Sequence, residues 1–271
     1  MLQVIGDKYL KLLSDFLEDN YGVHYSTQKT GTLEVKLNKL MAKNNIDSYK
    51  AYYELITGVN NVEQLTQFLD ETTTHTTNFF RERHHFEYIQ KNIQDILSSN
   101  RRIRGNKEIR VWSSACSTGE EPYTLGIVLK EILPEDFKIR ILATDISKKS
   151  IMKASKGIYG KNGIEKDIGK YYLAKYFDKQ GEDYCVNKEI KDLITFRTFN
   201  LMESFNFKKG FDVVFCRNVM IYFEPQIQAN LTDKIYNELV HGGLLFTGHS
   251  ESLAFREHKY KYVEPAIYLK K

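Results

Sequence analysis

The stretch Val111-Trp112-Ser113-Ser114-Ala115-Cys116-Ser117-Thr118-Gly119-Glu120-Glu121-Pro122 constrains the fold more than any other part of the chain. Ile109, Val111 and Trp112 have the β-branched and aromatic character of a strand. Pro122 sits where a first helical turn tolerates a missing N–H, and Leu125, Ile127, Val128, Ile132 and Leu133 follow it as an apolar series. Only small residues, Ser113 to Gly119, separate strand from helix. Small side chains let a ligand approach the backbone, and a helix start offers unpaired N–H groups. Glu120 and Glu121 then place carboxylates where a phosphate would otherwise sit. That points away from a nucleotide phosphate and towards a ligand with hydroxyls and positive charge. Taken alone, the stretch also reads as an ordinary tight strand-to-helix turn.

Downstream, strand and helix patterns alternate. Ile139 to Asp145 is a buried-type strand ending in a carboxylate, 26 positions after Gly119. In a Rossmann-like unit this is close to where the acid that binds ribose hydroxyls stands. Residues 150 to about 156 read as helix, and 157–198 break the rhythm as an inserted helix and small hairpin. Phe211 to Asn218 is a strand running into polar residues, Gln226 to Val240 a helix ended by His241-Gly242-Gly243, and Leu244 to Gly248 a strand. Tyr260 to Lys270 supplies a last strand or two, turned at Pro265. Parallel sheets bind ligands at the carboxyl ends of their strands. Glu120, Asp145, Asn200, Arg217 and Asn218 all fall at such exits. A ribose, an adenine and a charged amino-acid tail match that set, and S-adenosylmethionine fits better than a dinucleotide.

The chain has 271 residues, 42% hydrophobic and 27% charged, as in a soluble globular protein of one large or two small domains. Its net charge of +4 is too mild to imply a nucleic-acid partner. Cys116, Cys185 and Cys216 are far apart, which predicts no disulfide framework, no zinc site and a reducing cytoplasm. The first residues are amphipathic and interrupted by charges, unlike a signal peptide or a membrane span.

Residues 1 to about 100 read as helices. Leu10, Leu13, Phe16 and Leu17 form one apolar stripe, with Gly22 as a stop. A second helix, about 31–44, turns Leu33, Leu37, Leu40 and Met41 inward and carries Lys36, Lys39 and Lys43 on another face. Those lysines suit either an acidic partner helix or plain solvation. Two further helices cover Ser48 to Thr57 and Val62 to Leu69. Five threonines in the six positions 72–77 are poor helix material. The adjacent pair His84-His85 opens a helix with Phe86, Ile89, Ile93, Ile96 and Leu97 on one face, and neighbours on a helix diverge, so no metal site is expected. Asn100 to Lys107 reads as a basic connector.

Five ordered stretches resemble the chemotaxis receptor methyltransferase (CheR) family: Thr77-Asn78-Phe79-Phe80-Arg81, Cys116 to Tyr123, Ala143-Thr144-Asp145-Ile146, Phe215 to Phe223, and Gly248-His249-Ser250-Glu251-Ser252. The resemblance spans nearly the whole chain. It implies an α/β fold, with a small all-helical amino-terminal domain (1–75), a cofactor-contacting segment, helix and linker (76–107) and a Rossmann-like S-adenosylmethionine-dependent methyltransferase domain (108–271) holding an inserted β-subdomain at about 157–198. It further implies methyl transfer to glutamate carboxylates of membrane chemoreceptors, with S-adenosylhomocysteine as by-product. The expected protein is a cytoplasmic monomer without nucleic-acid partner or membrane insertion.

Carried over by position, the cofactor contacts are His75, Thr77, Arg81, Glu120, Asp145, Asn200, Leu201, Arg217 and Asn218. His75 departs from the family's usual Asn. An ionised glutamate needs no general base, so a donor that orients it suffices, and Tyr222 and Arg101 are the candidates. Two alternatives stay open: a non-catalytic S-adenosylmethionine-binding regulator, and a methyltransferase acting on another protein. The proline-containing fourth-strand motif of amino-group methyltransferases is replaced here by Arg217-Asn218-Val219-Met220.

Overall fold

The computed structural model describes residues 8–25, 30–58, 61–73, 76–99, 101–253 and 257–271, without the side chains of residues 30, 99, 101, 102 and 104. The amino-terminal unit holds α1 (Lys8–Tyr21), α2 (Thr30–Lys43), α3 (Tyr49–Thr57) and α4 (Val62–Thr72). Leu10, Leu13, Leu17, Leu33, Leu37, Leu40, Tyr52 and Phe68 close one apolar core between them. Ser48 caps α3 by accepting the Ala51 N–H at 3.2 Å, the role its hydroxyl suits. Gly22 ends α1 at φ +74°, and a Cβ there would meet Met202 Sδ at 2.9 Å. One glycine thus both stops the helix and lets its end rest on the second unit.

The second unit contains α5 (His84–Ser99), α6 (Arg101–Asn106), β1 (Glu108–Ser113), α7 (Glu120–Ile132), β2 (Lys138–Asp145) and α8 (Lys148–Lys156). The small subdomain follows as β3 (Ile158–Gly160), α9 (Lys161–Asp167), α10 (Lys170–Tyr176), β4 (Phe177–Gln180), β5 (Asp183–Val186) and α11 (Lys188–Lys191). The chain returns to the main sheet through β6 (Ile194–Thr198), β7 (Phe211–Cys216), α12 (Pro225–Glu238), β8 (Leu239–Thr247), β9 (Lys261–Glu264) and β10 (Ile267–Leu269).

The seven-stranded sheet runs β6-β2-β1-β7-β8-β10-β9, with every strand in the same direction except β10. Alternation along each strand sends Ile109, Val111, Val213, Phe215, Leu244 and Phe246 to one core, with α5 and α7. Trp112, Val214, Cys216 and Leu245 go to the other, with α12. A sheet covered on both faces explains the near-continuous apolar β7, buried at all six positions. Strand order reverses beside β1, so the exits of β1 and β7 diverge and leave a crevice.

Three local expectations change. Residues 194–198, expected inside the insert, pair in parallel with β2 as the main sheet's edge strand, and β3–β5 make a separate three-stranded sheet. Residues 101–106 are helical rather than a bare connector, because Ile103 is buried. Residues 239–243 belong to β8, since Leu239 pairs with Phe211 ahead of a register shift. The hairpin turn is two residues, with Gly181 at φ +61°. No helix among the described residues is long and apolar enough to cross a membrane.

Candidate active site

The exit of β1 is laced to both neighbours. Ser114 N–H donates to Phe215 O at 2.9 Å and Cys116 N–H to Thr144 O at 2.8 Å. Asp145, at the end of β2, accepts Ser117 N–H at 2.7 Å and Ser147 N–H at 2.9 Å. The carboxylate is thereby fixed in orientation, and carboxylates have about four acceptor positions in all. The small residues do two jobs. Ser114, Ala115 and Ser117 line the crevice. Gly119, at φ +99°, instead admits Ala154 and Tyr159, either of which a Cβ would crowd at 2.8–2.9 Å.

Above this exit lies a cavity of about 350 Å³, within the range of small-molecule sites. Of the residues singled out by sequence, Thr77, Arg81, Asp145, Asn200, Leu201, Arg217, Asn218 and Tyr222 line it. Asn200 also reaches the helical unit, donating to Asn20 O at 2.8 Å. Glu120 does not line the cavity. As the first residue of α7 it turns back to accept the Thr118 hydroxyl at 2.7 Å, while Glu121, one step round the helix, faces the wall. His75 lies outside the described residues. Arg101 begins α6, which leads into the amino end of β1, whereas the cavity opens at the carboxyl end. Six strand residues separate the two, roughly 20 Å; the Arg101 side chain is not among those described.

Arg217 organises the floor. Its guanidinium donates to Glu121 at 3.0 Å and to Arg81 O at 2.5 Å, and lies 3.2 Å from Glu82. Burial pushes the Glu121 carboxyl above its ordinary value, and the Arg217 charge only partly offsets that. At Glu82 burial acts in the same sense, but Arg217 and a bond from Asn218 outweigh it and hold the carboxyl low. Glu251 ties two strand exits together, accepting Asn218 N–H at 2.7 Å, Gly248 N–H at 2.6 Å and Ile221 N–H at 3.2 Å. It carries the turn Met220–Tyr222, and so Tyr222, to the cavity edge.

The helical unit supplies the roof, which sequence reasoning missed. Tyr21, His24, Tyr25, Thr32 and Lys36 reach the cavity from α1, α2 and the segment between them. Tyr25 OH donates to Thr72 O at 2.5 Å, and Lys36 Nζ donates to the same oxygen at 3.1 Å. Burial, with the neighbouring Tyr222, raises the Tyr25 phenol to about 12. Burial also lowers Lys36. His24 N–H donates to Tyr222 O at 2.8 Å, and its Nδ1 lies 2.9 Å from Glu18 and 3.1 Å from Glu224. A contact between units separated by about 200 positions leaves no local pattern in sequence.

His84 and His85 do meet a third imidazole, His249, with ring nitrogens within 4.8 Å of one another. The His84 ring stacks on His249 at a centroid distance of 4.4 Å and lies 4.0 Å from His85 with the planes tilted by 45°. The Arg217 charge acts on both His84 and His85. All three cysteines are buried and free.

Known proteins agree with this architecture. Residues 8–73 match the CheR methyltransferase all-alpha domain, and residues 75–269 match the CheR methyltransferase SAM binding domain. The chain is 36% identical to the chemotaxis protein methyltransferase of Borreliella burgdorferi over 99% of this chain and 96% of that one. It is 32% identical to a probable chemotaxis protein methyltransferase of Rhizobium etli, over 86% and 88% of the two chains. With chemotaxis protein methyltransferase 1 of Pseudomonas aeruginosa it shares 31% identity, over 94% and 93%. Helical roof, switch-point crevice and S-adenosylmethionine-binding domain together place the chain in the CheR family of chemotaxis methyltransferases.

Proposed function

We propose that the protein transfers the methyl group of S-adenosylmethionine to glutamate side chains of membrane chemoreceptors, forming methyl esters. Bound S-adenosylmethionine supplies a methyl group already activated on a sulfonium sulfur. Asp145 takes the ribose hydroxyls, the small residues Ser114, Ala115 and Ser117 admit the ligand to the backbone, and Thr77, Asn200, Leu201 and Asn218 complete its surroundings.

The observation that carries the reading is the sign of the groups around Tyr222. Lys36, Arg81 and Tyr222 are donors, whereas Glu121 on the same lining is held by Arg217 and Ser113 and the Tyr25 hydroxyl is given to Thr72 O. Donors gathered on one wall of the site suit an acceptor that is already an anion. Glutamate, whose side chain ordinarily titrates at about pH 4.3, is ionised at neutral pH. The chain's work is then to orient and desolvate the carboxylate, and such proximity effects reach roughly 7–11 kcal/mol. Tyr222 and Arg81 hold the carboxylate oxygen that does not react. Lys36, Lys39 and Lys43 draw an acidic receptor helix towards the roof, although Lys36 and Lys39 also bond Thr72 O and Glu71.

The test is tritium transfer from labelled S-adenosylmethionine to receptor-containing membranes. Incorporation into receptors supports the reading, and incorporation only into other proteins or none removes it.

A further inference from the structure

Helix α8 carries more positive charge on its open face than its packing requires. Ser150 and Ala154 are buried, whereas Lys148, Lys149, Met152, Lys153 and Lys156 are exposed. Positions 149, 152, 153 and 156 share one face, a stripe about 10 Å long. Among the described residues none of the four lysines has an ion-pair partner. Lys148 and Lys149 occupy the first turn, where the helix dipole disfavours cations. Met152, 54% exposed, offers an adaptable apolar contact in the middle of the stripe.

The stripe edges a shallow groove against α4, where Thr66 and Asp70 form the other wall. It also continues across the seam between the two units. Asp70 accepts the Ser147 hydroxyl at 2.5 Å and Lys149 N–H at 3.4 Å, which fixes α8 against α4. Next in sequence, Glu71 is bonded by Lys39 at 2.5 Å and also feels the charges of Lys149 and Lys36. The basic residues of α2 and those of α8 therefore flank one carboxylate and form a single field.

We propose that α8 is a docking strip for an acidic amphipathic helix, with carboxylates three to four residues apart meeting the lysines and one apolar side chain meeting Met152. The strip extends the basic face of α2 onto the catalytic unit, so one partner helix is held from both sides of the seam. The chemoreceptor as its source rests on the function proposed above; the affinity for an acidic helix does not. Charge complementarity of this kind acts chiefly on encounter and register.

The test compares the protein with the triple variant Lys148→Glu, Lys149→Glu, Lys156→Glu. Lys153 is left in place because its charge acts on Glu120. Two acids in the first turn favour the helix and offset the one in the last turn, so α8 is retained. The probe is a stapled helical peptide with Glu three and four residues apart around one Leu, followed by fluorescence anisotropy at low salt. The variant is expected to bind it about tenfold more weakly and to show a similar rise in KM for a receptor cytoplasmic fragment, with kcat and cofactor affinity unchanged. Equal peptide binding by both proteins overturns the proposal. So does unchanged peptide binding combined with lost binding to phosphatidylglycerol vesicles, which assigns the face to a membrane surface. Peptide binding that depends on α8, in a protein that transfers no methyl group to receptors, removes the proposed function and leaves the docking strip standing.

Discussion

Arg217 and Glu121 form an ion pair at 3.0 Å beneath the cavity, with side chains only 1% and 13% exposed. Removing one partner of such a pair strands a buried charge, which costs about 3–5 kcal/mol. Arg217→Ala is therefore expected to lower the unfolding free energy by about that amount in urea titrations. Adding Glu121→Gln should restore part of the loss, because the stranded carboxylate is gone. An additive double variant would mean that the two residues do not act as a pair.

Asp145 holds the loop shape and, under the proposed function, takes the ribose hydroxyls. Asp145→Asn keeps one acceptor oxygen, for either the Ser117 or the Ser147 N–H, and loses the negative charge. The expected result is native circular dichroism with cofactor affinity reduced by about 2 kcal/mol or more in calorimetry, as for charged hydrogen bonds. Unchanged affinity would move the ribose away from β2.

What the sequence made legible was local. The small-residue turn from Ser113 to Gly119 and the acid ending β2 each announce themselves within a dozen residues, and together they locate the crevice. The choice between Glu120 and Glu121 depends on helical phase at a first turn, which neighbouring sequence does not specify. Ile194–Thr198 is a sheet edge with no fully buried position, so it lacks the apolar signature of the inner strands. The bonds of Tyr25 and Lys36 to Thr72 O, and of Glu251 to Asn218, span 30 to 50 positions and are set by packing alone. Glu251 stands inside the stretch Gly248 to Ser252, and only the fold gives it a role.

Glu251 is a positioning residue. In Glu251→Ala three backbone N–H groups at two strand exits lose their acceptor, and buried unsatisfied groups cost about 1–3 kcal/mol each. The turn that carries Tyr222 then loosens. We expect a fall in kcat of about tenfold or more with cofactor affinity nearly unchanged, and partial rescue by Glu251→Gln, which retains one acceptor oxygen. Equal loss of cofactor affinity would assign Glu251 to the binding site itself.

His85 makes stability depend on pH. Its ring is fully buried, with Nδ1 3.6 Å from Glu82 and no hydrogen bond at either nitrogen among the described residues, and burial together with the Arg217 charge outweighs that carboxylate and lowers its pKa from 6.5 to about 2. Below pH 6.5 the unfolded chain takes up a proton that the folded chain refuses. Stability is thus intact above that pH and is lost as pH falls towards 2, by up to about 1.4 kcal/mol per unit. Between about pH 7 and 5 the wild-type protein should lose about 2 kcal/mol more than His85→Phe. Parallel curves for the two would show that His85 is protonated in the fold.

A donor-lined site that methylates a carboxylate leaves a base-labile ester. The most direct measurement is tandem mass spectrometry of a receptor cytoplasmic fragment after reaction, before and after mild alkali. Methyl groups that alkali removes are expected on glutamate side chains, with a marked loss of them in Tyr222→Phe while cofactor binding persists. Alkali-stable methyl groups on lysine, histidine or glutamine would contradict carboxylate methylation.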